Sequence, residues 1–335
     1  MDLTTTYMGL KLNSPIVPSA SPLSRDLANI KQMEDAGAGA VVLWSLFEEQ
    51  IQHDAEELEF YLHYGTNRFA ESLTYFPEPS EYHMPSEQYL QHIGKAKAAV
   101  DMPVIASLNG ISAKGWTDFA KQMADAGADA LELNVYFLPT NPAVTAEQVE
   151  DVYLSVLRAV KETVDIPVAM KLSPFFSATA NMIARLDTEG ADGLVLFNRF
   201  YQPDIDIANL EVRPKVYLSR SEDILLPLRW TAILHDNVDA SLAATTGIHS
   251  GEDVAKVLMA GADVAMMCSA LLRNGINVIG GATEELRTIM ETKGYDSVEE
   301  MKGVLSQRNV AEPAAFERAN YMKALSTFGR TATFE

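Results

Sequence analysis

The chain has 335 residues, 47% of them hydrophobic, with a formal charge of −20; that length can bury one large core, and that charge repels phosphate backbones and anionic membranes, so neither is an expected partner. The one cysteine, Cys268, excludes an internal disulfide and a four-cysteine iron–sulfur site. No run of eighteen apolar residues occurs, and residues 1–11 hold no basic stretch followed by an apolar one, so no membrane span or secretory signal is expected and the location reads as cytoplasmic.

In chain order, a first strand is predicted at 14–20 and a helix at 25–36. Ala36-Gly37-Ala38-Gly39-Ala40 then leads into a strand at 40–45. A long connection, 47–85, carries Tyr61, Tyr64, Tyr75 and Tyr82 and reads as a lid-like loop, since long loops in compact domains are usually functional. A helix at 86–100 precedes Asp101-Met102-Pro103-Val104 and a strand at 103–108; a helix at 114–126 precedes Ala126-Gly127-Ala128-Asp129-Ala130 and a strand at 130–136. The same pair of patterns recurs: helix 145–164, Asp165-Ile166-Pro167-Val168 and strand 167–173, then helix 177–189, Glu189-Gly190-Ala191-Asp192-Gly193 and strand 193–198. Helix 222–235, strand 240–247, helix 251–260, Ala260-Gly261-Ala262-Asp263-Val264 with strand 264–270, and helix 275–292 complete the series. A last helix is predicted at 313–325 in a tail, 308–335.

In each repeat glycine ends a helix, and proline sits at a strand start where its missing N–H costs little. The strands are continuous apolar runs, as in a parallel sheet covered on its outer face by helices. Eight strands alternating with eight helices predict an α/β fold, a (β/α)8 TIM barrel over 1–307 with a helical extension over 308–335; an open doubly wound sheet is the alternative.

In such barrels the chemistry sits at the C-terminal strand ends. The polar residues there are Ser19 and Ser21 beside Ala20, Ser45, Ser107 and Asn109, Asn134, Lys171 and Ser173, Asn198 and Arg199, Thr245-Thr246-Gly247, and Cys268-Ser269. The histidines, His53, His63, His83, His92, His235 and His249, show no metal-binding spacing with a strand-end carboxylate, so no metal is expected. Thr246-Gly247, Ser250-Gly251 opening a helix, and Cys268-Ser269 read as a phosphate cradle in the place where barrels use one, or as ordinary turns. Lys171 reads as a cation in the mouth or as half of an interior salt bridge, and the asparagines as ligand-binding amides or turn formers.

These residues resemble the dihydroorotate dehydrogenase family, its soluble class 1 branch in particular, and the related dihydropyrimidine dehydrogenase barrel. The resemblance runs from Asn13 to about Gly303 through Asn13-Ser14-Pro15, Ala20-Ser21, Glu132-Leu133-Asn134, Pro167-Val168-Ala169-Met170-Lys171-Leu172-Ser173-Pro174, Thr246-Gly247-Ile248, Gly251-Glu252-Asp253-Val254 and Lys293-Gly294-Tyr295-Asp296-Ser297. It implies an FMN-dependent CH–CH oxidoreductase of pyrimidine metabolism, acting on a dihydropyrimidine-like or other small cyclic substrate. The cofactor would be held by Ala20, Ser21, Ser107, Asn109, Asn134, Lys171, Asn198, Thr246, Gly247, Cys268 and Ser269. Lys171 would stabilise the reduced flavin, and Asn134 and Asn198 would hydrogen-bond flavin and substrate amides; Arg199 and Tyr136 are added as substrate-side candidates from their own chemistry. A homodimer is implied, with any iron–sulfur cluster on a separate subunit.

The resemblance stops at the substrate end. The family's cysteine or serine base falls on Phe137 or Leu138, neither of which takes a proton. The strand-two lysine is replaced by Trp44, the pair after the sixth strand is Asn198-Arg199, and the asparagine-rich loop has no match within 73–80. Tyr136, Tyr64, Tyr75 and His53 remain as proton acceptors. Three other functions stay open: an FMN barrel for an unrelated substrate, such as an anion bound by Arg199, an electron-transfer subunit, and a sugar-phosphate barrel, for which Glu132 is the one obvious strand carboxylate.

Overall fold

The computed structural model describes residues 1–47, 85–110, 113–199, 202–213, 216–317 and 321. It opens with an antiparallel hairpin absent from the sequence reading, β1 (Thr5–Tyr7) and β2 (Leu10–Leu12). Barrel strands follow: β3 (Ile16–Pro18), β4 (Val41–Phe47), β5 (Val104–Gly110), β6 (Ala130–Val135), β7 (Val168–Leu172) and β8 (Gly193–Leu196). A second unanticipated hairpin, β9 (Asp204–Asp206) and β10 (Glu211–Arg213), precedes β11 (Ser241–Thr245) and β12 (Val264–Met267). The barrel order is β3-β12-β11-β8-β7-β6-β5-β4, all parallel. Helices α1 (Leu27–Asp35), α2 (Pro85–Ala99), α3 (Ala113–Asp125), α4 (Ala146–Lys161), α5 (Thr179–Thr188), α6 (Leu225–Leu234), α7 (Gly251–Ala260), α8 (Ser269–Asn274) and α9 (Val278–Lys293) surround it. This is the (β/α)8 TIM barrel expected from the repeat.

The aspartates in three of the repeats explain why the motif recurs. Asp129 accepts from the backbone N–H of Val104 at 2.7 Å and pairs with Lys97. Asp192 does the same for Val168 and Lys161, and Asp263 for Leu242 and Lys302. Each side chain thus satisfies an N–H at the start of a neighbouring strand, the first residue in β5 and β7 and the second in β11, and ties it to an outer helix or turn, where an unpaired buried donor would be costly.

The seam between β3 and β4 closes through Gly39, whose N–H donates to the Ile16 carbonyl at 2.9 Å. A Cβ there would lie 1.9 Å from the Ser14 carbonyl oxygen. Gly39→Val is therefore expected to force the seam apart and to cost about 3 kcal/mol or more, at the upper end of overpacking effects. Chemical denaturation checks this, and an unchanged midpoint would refute it.

The first hairpin plugs the N-terminal end of the barrel. Tyr7, Met8 and Leu12 are buried against Val17, Val42, Ile105, Ala130, Ala169, Val195, Ala243 and Val264, and the Met8 N–H donates to Ser241 Oγ at the start of β11. The opposite, C-terminal end is left for the site. Inward positions alternate along each strand, so above this apolar layer come Ser107, Glu132 and Lys171.

Several boundaries differ from expectation. The strand predicted at 264–270 stops at Met267, and Ser269 begins α8, because the chain turns into a helix at Cys268. The helix predicted at 313–325 begins as a 3₁₀ turn, Pro313–Phe316, and beyond Glu317 the tail, except Tyr321, lies outside the described residues. The predicted lid-like loop, with His53, Tyr61, Tyr64, Tyr75 and Tyr82, also lies outside them, apart from its ends Phe47 and Pro85. Among the described residues no helix is long and apolar enough to cross a membrane, and no three histidine, cysteine or acidic side chains gather as metal ligands.

Candidate active site

A cavity of about 380 Å³ lies at the C-terminal strand ends, within the 300–1,000 Å³ usual for small-molecule sites. Of the residues anticipated from sequence, Ala20, Asn134, Tyr136, Lys171, Asn198, Arg199, Thr246, Gly247, Cys268 and Ser269 line it. Ser21, Ser107 and Asn109 do not. Ser21 is buried at the start of a 3₁₀ turn, where its carbonyl accepts from Ser24 Oγ at 3.0 Å. Asn109 is buried at the end of β5, in register with Asn134. Ser107 lies behind the wall: its Oγ is 2.8 Å from Ser45 Oγ, and its N–H donates to Tyr89 Oη at 2.9 Å.

The floor of the cavity carries a buried ion pair. Lys171, 7% exposed, reaches Glu132, 1% exposed, at 3.1 Å and Ser19 Oγ at 3.3 Å. The interior salt bridge weighed for Lys171 therefore exists, and the same lysine lines the cavity. The second oxygen of Glu132, Oε2, is buried without a hydrogen-bond partner. On one wall Asn198 Nδ2 donates to Asn134 Oδ1, placing two amides side by side. Arg199 pairs with Asp223 at 2.9 Å, so its charge is already answered.

Trp44 does not stand where a strand-end cation would. The β4–β5 register shifts between Val42 and Ser45; this irregularity makes Ser45 the inward residue and sets Trp44 against Tyr89 and His92, with ring centroids 4.8 and 4.7 Å away. The Trp44 N–H is taken by Ser24 Oγ at 2.8 Å.

At the other end of the cavity Thr246 has φ +78°, a left-handed conformation uncommon for a β-branched residue and of the kind concentrated at functional sites. Gly247 follows; a Cβ there would lie 2.2 Å from the Ile224 backbone nitrogen, so this glycine is required by packing alone. Its N–H donates to Ser219 Oγ at 3.4 Å, Ser219 Oγ shares a 3.1 Å hydrogen bond with His249 Nε2, and the Ser219 N–H donates to Ser269 Oγ at 3.0 Å. Burial holds the His249 imidazole below its ordinary pKa; Asp253 opposes this and Arg273 adds to it. The helix start at Ser250-Gly251 does not fit the expected phosphate role. The Gly251 N–H is taken by Glu285 at 2.7 Å, that of Asp253 by Ser250 Oγ, and the first turn carries Glu252 and Asp253. Cys268 is half-buried on the wall rather than sequestered in the core, and burial pushes its thiol up while Lys171 pulls the other way.

Sequence reasoning missed Gln202, Val216, Tyr217, Leu218, Ser219 and Leu272, which also line the cavity. Most come from the segment around β9 and β10, which carries no barrel periodicity that could have signalled it.

The family model for dihydroorotate dehydrogenase matches residues 80–290, more than half of the chain. The chain belongs to the dihydroorotate dehydrogenase family. The catalytic subunit of dihydroorotate dehydrogenase B (NAD(+)) from Thermoplasma volcanium is 27% identical over 315 residues, covering 92% of this chain and 99% of that one. The corresponding subunit from Pyrococcus abyssi is 26% identical over 309 residues, covering 90% and 98%. The NAD-dependent dihydropyrimidine dehydrogenase subunit PreA of Escherichia coli K12 is 23% identical over 349 residues, covering 95% and 80%. These relatives are oxidoreductases, and the match spans nearly the whole barrel. Within this dihydroorotate dehydrogenase-family barrel, Phe137 is half-buried and Leu138 is 52% exposed beyond β6.

Proposed function

We propose that the chain is an FMN-dependent dehydrogenase acting on the CH–CH bond of a dihydropyrimidine-like or other small cyclic substrate. The observation that carries this reading is Lys171, a buried cation on the floor of a ligand-sized cavity that runs to the strained Thr246-Gly247 turn. The residues suit a flavin: a buried carboxylate oxygen on Glu132 lacks a donor, and two amides converge on one wall. FMN bound here would supply a ring that accepts hydride.

Lys171 would place positive charge where negative charge develops. Asn134 and Asn198 would orient ring amides, and Tyr136 would stand beside the substrate. The phosphate end would be held by Thr246, Gly247, Cys268 and Ser269, where the first N–H groups of α8 have no partner within the helix. With Cys268 as the one cysteine, any iron–sulfur acceptor would sit on a separate subunit, in keeping with the relatives' names as subunits. A homodimer is the proposed assembly; Ile205, Ile207, Leu210 and Val212 on the second hairpin expose apolar surface beside the mouth.

The purified protein is expected to take up one FMN per chain, read by flavin absorbance and fluorescence after reconstitution and desalting. A colourless protein that retains no FMN overturns the reading. Loss of FMN in a Gly247 variant would not be diagnostic, since a side chain there collides with the 3₁₀ turn Ser221–Ile224 in the absence of any ligand.

A further inference from the structure

Along β6 the side chains of Ala130, Glu132 and Asn134 share the inward face. Ala130 packs in the apolar layer, Asn134 lines the cavity, and Glu132 lies between them. A carboxylate in that layer is expensive to desolvate, and an ion pair there is not explained by stability, because apolar residues of similar size generally hold a core as well or better. Glu132 is also only half satisfied: Oε1 takes Lys171 Nζ at 3.1 Å with Ser107 Oγ at 3.5 Å, and Oε2 takes nothing. A half-satisfied buried group is worse for the fold than none.

Its support is nonetheless rigid. Ser107 is locked from both sides of its peptide by Tyr89, whose hydroxyl donates to the Ser107 carbonyl at 3.2 Å and accepts from the Ser107 N–H at 2.9 Å. Ser45 buttresses the Ser107 hydroxyl at 2.8 Å. Lysine, by contrast, carries its charge on a flexible four-carbon stem. Ser19, directly after β3, is its other polar contact.

We propose that Glu132 is the positioning residue for Lys171: it pins the ammonium to the floor of the cavity and balances its charge, and so sets how strongly the site favours an anionic reduced ring over a neutral oxidised one. The last part rests on the FMN reading; the pinning does not. Among the described residues, the other titratable groups that sense the pair are Tyr7 from the N-terminal plug, Tyr89 from α2 and Cys268 after β12; none of these is a cation that could replace Lys171.

Two measurements on Glu132→Gln test this, with Glu132→Asp as the companion that keeps the charge should the amide variant fold poorly. The first needs no cofactor. Brief treatment of the apoprotein with acetic anhydride at fixed pH, with peptide mass spectrometry, is expected to modify Lys171 at least tenfold faster in Glu132→Gln than in wild type, with Glu132→Asp in between. Equal rates mean that Glu132 does not hold Lys171 and overturn the proposal outright. The second is the midpoint potential of bound FMN, expected to rise by about 30 mV or more in Glu132→Gln, the equivalent of a tenfold change for a two-electron couple. Faster acetylation with an unmoved potential reduces the pair to a structural contact and overturns the role. A wild-type protein that takes up no FMN sinks the cofactor reading instead, and the acetylation result still decides whether Glu132 positions Lys171.

Discussion

With FMN bound as proposed, Lys171→Ala is expected to slow its reduction by about 10²–10³-fold, the usual loss when one preorganised electrostatic stabiliser is removed. The ammonium is 7% exposed, so water screens it little. Removing it also leaves Glu132 buried without a counter-charge, which should cost about 3–5 kcal/mol of stability. The two effects separate in the double variant Lys171→Ala/Glu132→Gln, which is expected to recover much of the melting temperature and none of the rate. Anaerobic stopped-flow with a substrate found by screening for flavin bleaching supplies the rate, and scanning calorimetry the stability. Wild-type reduction by Lys171→Ala would remove the lysine from the chemistry; a slow single variant rescued in rate by the double would show that the defect lay in an unpaired carboxylate.

The barrel was legible because its cause is local and repeated. Each Gly-Ala pair ends a helix and starts a strand, and the aspartate that follows it in three of the four repeats bonds the neighbouring strand, as Asp129 does for Val104. Lys171 and Asn134 were legible as strand-end residues because period-2 alternation carries over from one position to the next. The ion pair was not. Glu132 is in register with Ala169, and Asn134 with Lys171, so the lysine reaches diagonally to Glu132 only once the stagger of β6 against β7 is known, and a single sequence does not contain that stagger. The irregularity at Val42–Ser45 was invisible for a related reason: one extra residue reverses the facing of everything after it, and Trp44 thereby exchanges the cavity for a packing site on Tyr89 and His92. Ser219 reaches the site through a hairpin whose apolar residues are exposed, and such a segment leaves no core-facing pattern to read.

Dihydroorotate is expected to be a poor substrate or none. Its oxidation needs a base within about 3 Å of the carbon-bound proton, or one water away. By the resemblance, the family's base position falls on Phe137 or Leu138, neither of which takes a proton, and Leu138 is 52% exposed. The one cysteine offers no substitute: it stands after β12 near the proposed phosphate end, and burial disfavours its thiolate. The carboxylate of dihydroorotate also needs a cation with charge to spare. Trp44 packs on Tyr89 and His92, Arg199 is engaged by Asp223, and Lys171 by Glu132. A site whose described cations are each answered by an acid favours a neutral ring, so the same screen should include uncharged dihydropyrimidines. Stopped-flow bleaching of the flavin by dihydroorotate is the measurement. A rate in the range of ordinary turnover, about 1–10³ s⁻¹, would mean that another wall residue accepts the proton. Tyr136, which lines the cavity directly after β6, is the first to replace: Tyr136→Phe would then abolish the bleaching if its hydroxyl is the base and leave it intact if the base comes from elsewhere.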